Sequence, residues 1–270
     1  MHKLLFLFGF TILTFIVVNR ILCNEKYQET IDVGYYYHFF CARIEQHLFN
    51  KSMGSIVSTI ENDKRVLDFG CGPGIMSVFF SNNYVGLDID RTRIQYAQKM
   101  YPEKTFKQIG FLSKDEKNTV NHIVIPYPNN YFDIILLNDC IHHINNRDMS
   151  DIISELFRVL QVGGYIIVRE PNKDTNMLTY MITEMAENGN YVRGKEEYKR
   201  LFNPLELVYE KSSNEVIRDY YIFIVKKNSN FYYGTTWIEN RFNINREVIN
   251  FLTGGLFAFS IYVISYSILY

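Results

Sequence analysis

A chain of 270 residues, 47% hydrophobic and 21% charged, has room for one α/β domain with attachments and is far from a disordered balance. Its formal net charge of -1, with no Lys/Arg run along the chain, argues against a dedicated nucleic-acid surface. The four cysteines, Cys23, Cys41, Cys71 and Cys140, form neither a Cys-x-x-Cys pair nor a Cys/His ligand spacing, so the domain reads as reduced and metal-free.

Leu4 to Val18 is an uncharged apolar run, shorter than the ~20 residues a helix needs to cross a bilayer. The following NRILCN offers no Ala-x-Ala-like cleavage site, which favours an uncleaved anchor over a signal peptide. Gly34 to Phe49 reads as an aromatic helix, either a lid over a ligand or a cover for a sheet edge.

Lys64 to Phe69 is a short buried strand that runs into Gly70-Cys71-Gly72-Pro73-Gly74 and then an apolar stretch, Ile75 to Phe80, expected to be a helix. A glycine turn between strand and helix suits a ligand that approaches the backbone closely. The dinucleotide pattern would place a third glycine where Ile75 stands, and Asp68 at the strand end would repel a pyrophosphate. An acid there suits a ligand that carries an ammonium and a sulfonium.

The next strand, Tyr84 to Leu87, ends in Asp88, where a doubly wound sheet places an acid for ribose hydroxyls. Asp90 is expected to cap a helix, Arg91 to Met100. Thr105 to Ile109 is a third strand, and the charged insert Lys114 to Asn121 reads as a solvated loop. Phe132 to Leu137 is a fourth strand, and Asn138-Asp139-Cys140-Ile141-His142-His143 leaves its carboxyl end, in the crevice where open α/β sheets bind ligands.

Together, VLDFGCGPG, VGLDID, PYPNNYFDIILLNDCIHHI and ELFRVLQVGGYIIVREP resemble the successive motifs of class I methyltransferases, over roughly Val66 to Pro171. The resemblance implies S-adenosylmethionine bound across the ends of the first, second and fourth strands. Asp68, Gly70 and Gly72 would then line its methionine part and Asp88 would hold its ribose, with Cys71, Gly74, Ile89 and Asn138 as further cofactor-binding candidates. The turn after the third strand would flank the adenine, but here the chain departs from the family pattern. Gly110-Phe111-Leu112-Ser113 stands where an acid usually follows, and Phe111 or Leu112 is the candidate to pack on the ring. His142 or His143 is the candidate general base, each weighed against a packing role. Cys140 lacks the Pro-Cys context of a covalent nucleophile, and Glu170 either faces the acceptor or pairs with Arg169.

Met149, Ile152, Ile153, Leu156 and Leu160 recur at helical spacing, with Gly163-Gly164 expected to end that helix before a strand over Tyr165 to Val168. Thr175 to Glu187 reads as a helix, Tyr191 to Arg200 as the bridge that selects the acceptor, and Leu205 to Tyr209 with Tyr220 to Val225 as a closing hairpin. Val248 to Tyr270 is uncharged and long enough to span a membrane. Arg241 and Arg246 before it, with nothing basic after, place the middle of the chain in the cytoplasm.

The expected fold is α/β, a doubly wound, mostly parallel seven-stranded sheet with a reversed last strand, flanked by terminal apolar helices. Residues 1–23 form an anchor or signal segment, 24–60 a helical lid region, 61–227 the methyltransferase domain, 228–247 a linker and 248–270 a transmembrane helix. The expected function is membrane-anchored methyl transfer from S-adenosylmethionine to a lipid or small molecule. The alternative is a catalytically silent membrane scaffold or binding module of the same fold.

Overall fold

The computed structural model describes residues 43–112, 122–175, 179, 191–214 and 219–228. Its first strand, β1 (Val66–Phe69), has parallel neighbours on both sides and is buried at all four positions. The other strands of the sheet are β2 (Tyr84–Asp88), β3 (Thr105–Gln108), β4 (Phe132–Asn138), β5 (Leu160–Pro171), β6 (Glu206–Asn214) and β7 (Asp219–Lys226). They lie in the order β3-β2-β1-β4-β5-β7-β6, and β7 is antiparallel to both of its neighbours. This is the mostly parallel seven-stranded sheet with a reversed last strand. A two-residue ribbon, Phe111–Leu112 with His122–Ile123, stands apart from it.

Helices cover both faces. On one, α1 (Arg43–Val57) buries Phe49 and Met53 against Val66, Ile75, Ile134 and Ile222, and runs two turns past the expected Phe49 end. Its described part thus covers the sheet. On the same side α2 (Arg91–Met100) starts where expected, with the Asp90 carboxylate accepting from Thr92 N and Arg93 N.

The opposite face is covered by α3 (Asn146–Val159), which buries Met149, Ile152, Ile153 and Leu156 as its apolar stripe predicts. At roughly 1.5–3 kcal/mol per buried side chain, this stripe alone outweighs any helix-propensity term. The helix ends earlier than Gly163-Gly164. Leu160 already pairs with Phe132 in the sheet, and the register shifts between Phe132 and Ile134 where those glycines sit. Gly163 has φ 82, and a Cβ on Gly164 would lie 2.7 Å from Asp133 O, so the pair serves a bulge inside β5. The carbonyls freed at the helix end are met by Lys227, whose Nζ donates to Phe157 O at 2.7 Å and Leu160 O at 2.6 Å.

Ile75–Phe79 is a single 3-10 turn, not the expected helix. Gly74 enters it with φ 76 and the chain turns back at Ser81 to reach β2, leaving no room for a longer element. Between β5 and β6 lies α4 (Lys195–Leu201). The insert 114–121 and both apolar ends lie outside the described residues, as does nearly all of the expected helix 175–187. Among the described residues no helix is long and apolar enough to cross a membrane.

Candidate functional site

Parallel pairing brings the carboxyl ends of β1, β2 and β4 together, with Asp68 opposite Gly86 on one side and Leu136 on the other. The glycine turn grows out of β1 and is pinned to β2 by Gly70 N and Cys71 N, which both donate to Leu87 O. Gly70, Gly72 and Gly74 all have positive φ, at 77°, 53° and 76°.

Their missing side chains do different jobs. A Cβ on Gly70 would lie 2.2 Å from Cys140 Sγ, and one on Gly74 would lie 2.7 Å from the Phe106 ring. Both are packing glycines. A Cβ on Gly72 would meet only Arg93 Nη1, at 3.9 Å, although Gly72 itself is buried. Of the three glycines of the turn, Gly72 alone leaves room for added atoms, and that room is the cradle that a bound ligand would fill. Cys71 is buried with its thiol tucked toward Gly86, so it offers the ligand backbone rather than sulfur. Burial pushes the Cys71 and Cys140 thiols well above their ordinary range, which disfavours the thiolate that a Cys140 nucleophile would need.

Asp88 is buried at the end of β2. Its Oδ2 accepts from Gly72 N and its Oδ1 from Asp90 N, both at 2.8 Å. A carboxylate has about four lone-pair sites, so each oxygen can still accept from a ribose hydroxyl. Ile89, next along, is exposed at 53%, an apolar surface beside that acid. Asn138 is half-buried at the end of β4, where its Oδ1 accepts from Arg169 Nη1 at 3.1 Å. Asp68 lies deeper, and its Oδ2 accepts from the hydroxyl of Tyr84 at 2.6 Å. Burial pushes the Asp68 carboxyl up to about 7, opposed by the Tyr84 hydrogen bond and reinforced by the charge of Asp88.

The turn after β4 is held from two sides. Glu170, fully buried at the end of β5, accepts from Cys140 N, Ile141 N and His142 N, and its Oε2 lies 2.7 Å from His142 Nδ1. Arg193 donates to Ile141 O at 2.8 Å, Ile144 O at 2.7 Å and the Asn146 side chain at 2.7 Å. Rather than pairing with Arg169, Glu170 holds His142 and the backbone of the post-β4 turn. Arg169 instead spans Ser52 Oγ, Asn138 Oδ1 and Asp139 Oδ2, with its guanidinium 3.5 Å from the centre of the Tyr220 ring. Of the two expected bases, His142 is buried and engaged by Glu170, whereas His143 is exposed.

Within the expected specificity bridge, Arg193 and Tyr198 are buried supports, whereas Tyr191, Glu196, Glu197 and Arg200 are exposed. Tyr84, Arg169 and Arg193 carry no local motif and were missed as parts of the site. A shallow recess lined by Ile60, Val66, Val78 and Phe80 lies at the amino end of β1, away from these groups. Among the described residues no cluster of His, Cys, Asp and Glu is fit to hold a metal ion.

The residues present fit S-adenosylmethionine: an open cradle at Gly72, an acid at Asp88 with lone pairs to spare, and the apolar Ile89 beside it. Residues 67–168 match the family described as "Methyltransferase domain". The chain is 27% identical over 116 residues to a ubiquinone/menaquinone biosynthesis C-methyltransferase UbiE of Vibrio vulnificus, covering 41% of this chain and 42% of that protein. It is 24% identical over 156 residues to a ubiquinone biosynthesis O-methyltransferase of Nitrosomonas europaea, covering 55% and 61%. The chain therefore spans less than two thirds of the length of these curated relatives. A solved SAM-dependent methyltransferase from Methanosarcina mazei shares the fold at 18% identity with TM-score 0.51, covering 65% of this chain and 98% of that one. With its sheet order and glycine turn in place, the chain is similar over residues 67–168 to the methyltransferase-domain family and shares the Rossmann-like fold of a solved SAM-dependent methyltransferase.

Proposed function

We propose that the protein transfers a methyl group from S-adenosylmethionine to a small-molecule or lipid acceptor while attached to a membrane, its catalytic domain on the cytoplasmic side. The observation that carries the cofactor part is the room for added atoms at Gly72, framed by Asp88, whose carboxylate organises the glycine turn and keeps lone pairs for a ribose. The acceptor class draws support from two quinone-biosynthesis methyltransferases among the relatives. Membrane attachment rests on the apolar runs Leu4 to Val18 and Val248 to Tyr270.

When bound, the cofactor supplies an activated methyl on a sulfonium. The chain's own contribution is to orient and to exclude water. Gly72 gives the cofactor close backbone contact, Asp88 fixes its ribose, and Asp68 accepts its ammonium. The post-β4 turn, clamped between Glu170 and Arg193, holds a fixed wall opposite the glycine turn. His143, exposed on that turn, is the imidazole that takes a proton from a hydroxyl acceptor.

Calorimetry on the full-length chain tests the cofactor part: S-adenosylmethionine and its demethylated product bind and NAD does not. Labelled-methyl transfer into a cell extract split into lipid, small-molecule, RNA and protein fractions then identifies the acceptor. Label in the RNA or protein fraction alone overturns the acceptor class. Carbonate extraction tests attachment, and protease protection in sealed vesicles tests orientation.

A second reading, a silent cofactor-binding module, is favoured by one feature. His142 and Glu170 are spent on each other and on backbone amides. Cofactor binding with no label transferred to any fraction selects it.

A further inference from the structure

Asp68 stands opposite Gly86 across the β1–β2 ladder, with Tyr84 two residues earlier on the same face of β2. Gly86 has no side chain to interpose; a Cβ there would lie 2.7 Å from Phe106 and 2.8 Å from Cys71 Sγ. The Tyr84 ring, fully buried, is wedged between Phe80 and Phe106 at centroid distances of 5.6 and 5.8 Å. From there its hydroxyl reaches diagonally to Asp68 Oδ2, at 2.6 Å.

The groups that bear on Asp68 come from every side. Tyr84 and Asp88 lie on β2, Cys71 in the glycine turn and Cys140 after β4, and β4 itself presents Leu136 opposite. They are a phenol, an acid, two thiols and a hydrocarbon. Asp68 is thus a buried carboxyl whose hydrogen-bond partner is neutral, and it is the acid to which the proposed function assigns the cofactor's ammonium.

We propose that Tyr84 is a positioning residue for the cofactor: its phenol holds the Asp68 carboxyl beneath the glycine turn, and capture of the cofactor's ammonium there expels the Asp68 proton to solvent. The inference rests on the reading of this chain as an S-adenosylmethionine-binding protein. The proton balance is simple. The ammonium keeps its protons, Asp68 loses one to water, and an ammonium–carboxylate pair forms with Tyr84 still donating. Burial holds the Asp68 carboxyl up and the Tyr84 hydroxyl pulls it down. Removing the hydroxyl leaves burial and the repulsion of Asp88 unopposed, so the proton is harder to expel.

The test is S-adenosylmethionine affinity of the full-length chain as a function of pH. The parent chain gains roughly tenfold in affinity between about pH 5.5 and about pH 7, as Asp68 ionises. The alkaline limb belongs to the ligand's own amine, near ~8, and is common to all variants. Tyr84→Phe moves the acid limb to higher pH and binds about fivefold more weakly at pH 7, the size expected for a shift of about one unit. Asp68→Asn has no acid limb. A merely structural tyrosine would change stability and leave that limb in place.

If Tyr84→Phe does not fold, the parent decides alone. In buffers of different ionisation enthalpy at about pH 6, binding releases close to one proton. An unmoved acid limb in Tyr84→Phe, or binding by the parent with no proton released, overturns the inference while leaving the cofactor reading intact. A parent that binds at no pH overturns the cofactor reading and this inference with it.

Discussion

His142 Nδ1 and Glu170 Oε2 lie 2.7 Å apart with both side chains buried, so the turn that leaves β4 is bonded directly to the end of β5. The same carboxylate gathers the backbone N–H groups of Cys140, Ile141 and His142. A buried acid with this many donors is a structural node, and its loss leaves several orphaned groups at once.

The two histidines therefore separate. His142→Ala is expected to cost about 2–4 kcal/mol of stability, because a fully buried carboxylate loses its ring partner and a cavity remains. His143→Ala, at an exposed position, should stay within about 0.5 kcal/mol and instead lower turnover on a hydroxyl acceptor by ~10²-fold, with cofactor affinity unchanged. Denaturant unfolding and single-turnover kinetics measure the two effects. Equal stability losses would show that the burial difference is inconsequential.

Gly70 and Gly72 should respond differently to the same substitution. In Gly70→Ala the new methyl would sit 2.2 Å from Cys140 Sγ on a backbone with φ 77, so the fold should lose about 3 kcal/mol or more. Gly72→Ala meets only Arg93 Nη1 at 3.9 Å, and its cost to the fold should be about 1–2 kcal/mol of backbone strain. The methyl enters the space assigned to the cofactor, however, and affinity should fall at least ~10-fold. Thermal melts paired with calorimetry decide it; a Gly72→Ala chain that binds as the parent does would empty that space of its role.

Asp88→Asn should be nearly as damaging to cofactor affinity as Asp88→Ala. Both carboxylate oxygens accept backbone N–H groups, from Gly72 and from Asp90. An amide has one oxygen, so its NH2 must point at one of those donors. Either variant should lose about 1.5–3 kcal/mol of binding free energy, read by calorimetry, and should loosen the glycine turn as well. Parent-like binding by Asp88→Asn would argue that the carboxylate does not organise that turn.

The ligand-free protein should lose stability as pH rises through neutrality. The folded carboxyl of Asp68 lies at about 7 against 3.8 for an ordinary aspartate, so between these values the folded state keeps a proton that the unfolded chain has released. The stabilisation is complete below about pH 4 and is lost as pH climbs through about 7, amounting to a few kcal/mol at most. Asp68→Asn should flatten this part of the profile and exceed the parent in stability at about pH 8. Urea unfolding between about pH 4 and about pH 8 checks the slope. A parent stability that rises across that window from this residue's contribution, judged against Asp68→Asn, would reverse the sign of the argument.

What the sequence by itself determined was local in origin. The run Val66 to Phe69 into Gly70, Gly72 and Gly74 reads as a strand and turn because alternating needs for apolar burial and positive φ leave few other residue types. Asp90 announces α2 because its side chain reaches only its own next turn, and the stripe from Met149 to Leu156 announces α3 because helical periodicity is written within one segment. The ordered series of motifs carried the family resemblance, the sheet and its reversed last strand. Tertiary structure decided the rest, because it depends on groups far apart in the chain. Whether a glycine serves packing or a ligand depends on its neighbour: Gly70 faces Cys140, Gly74 faces Phe106 and Gly72 meets only the end of the Arg93 side chain. The end of α3 was set by pairing of Leu160 with Phe132 and by a lysine that arrives from residue 227. The partners of Asp68, His142 and the Ile141 carbonyl come from 16, 28 and 52 residues away, and no local pattern encodes a contact across such a separation.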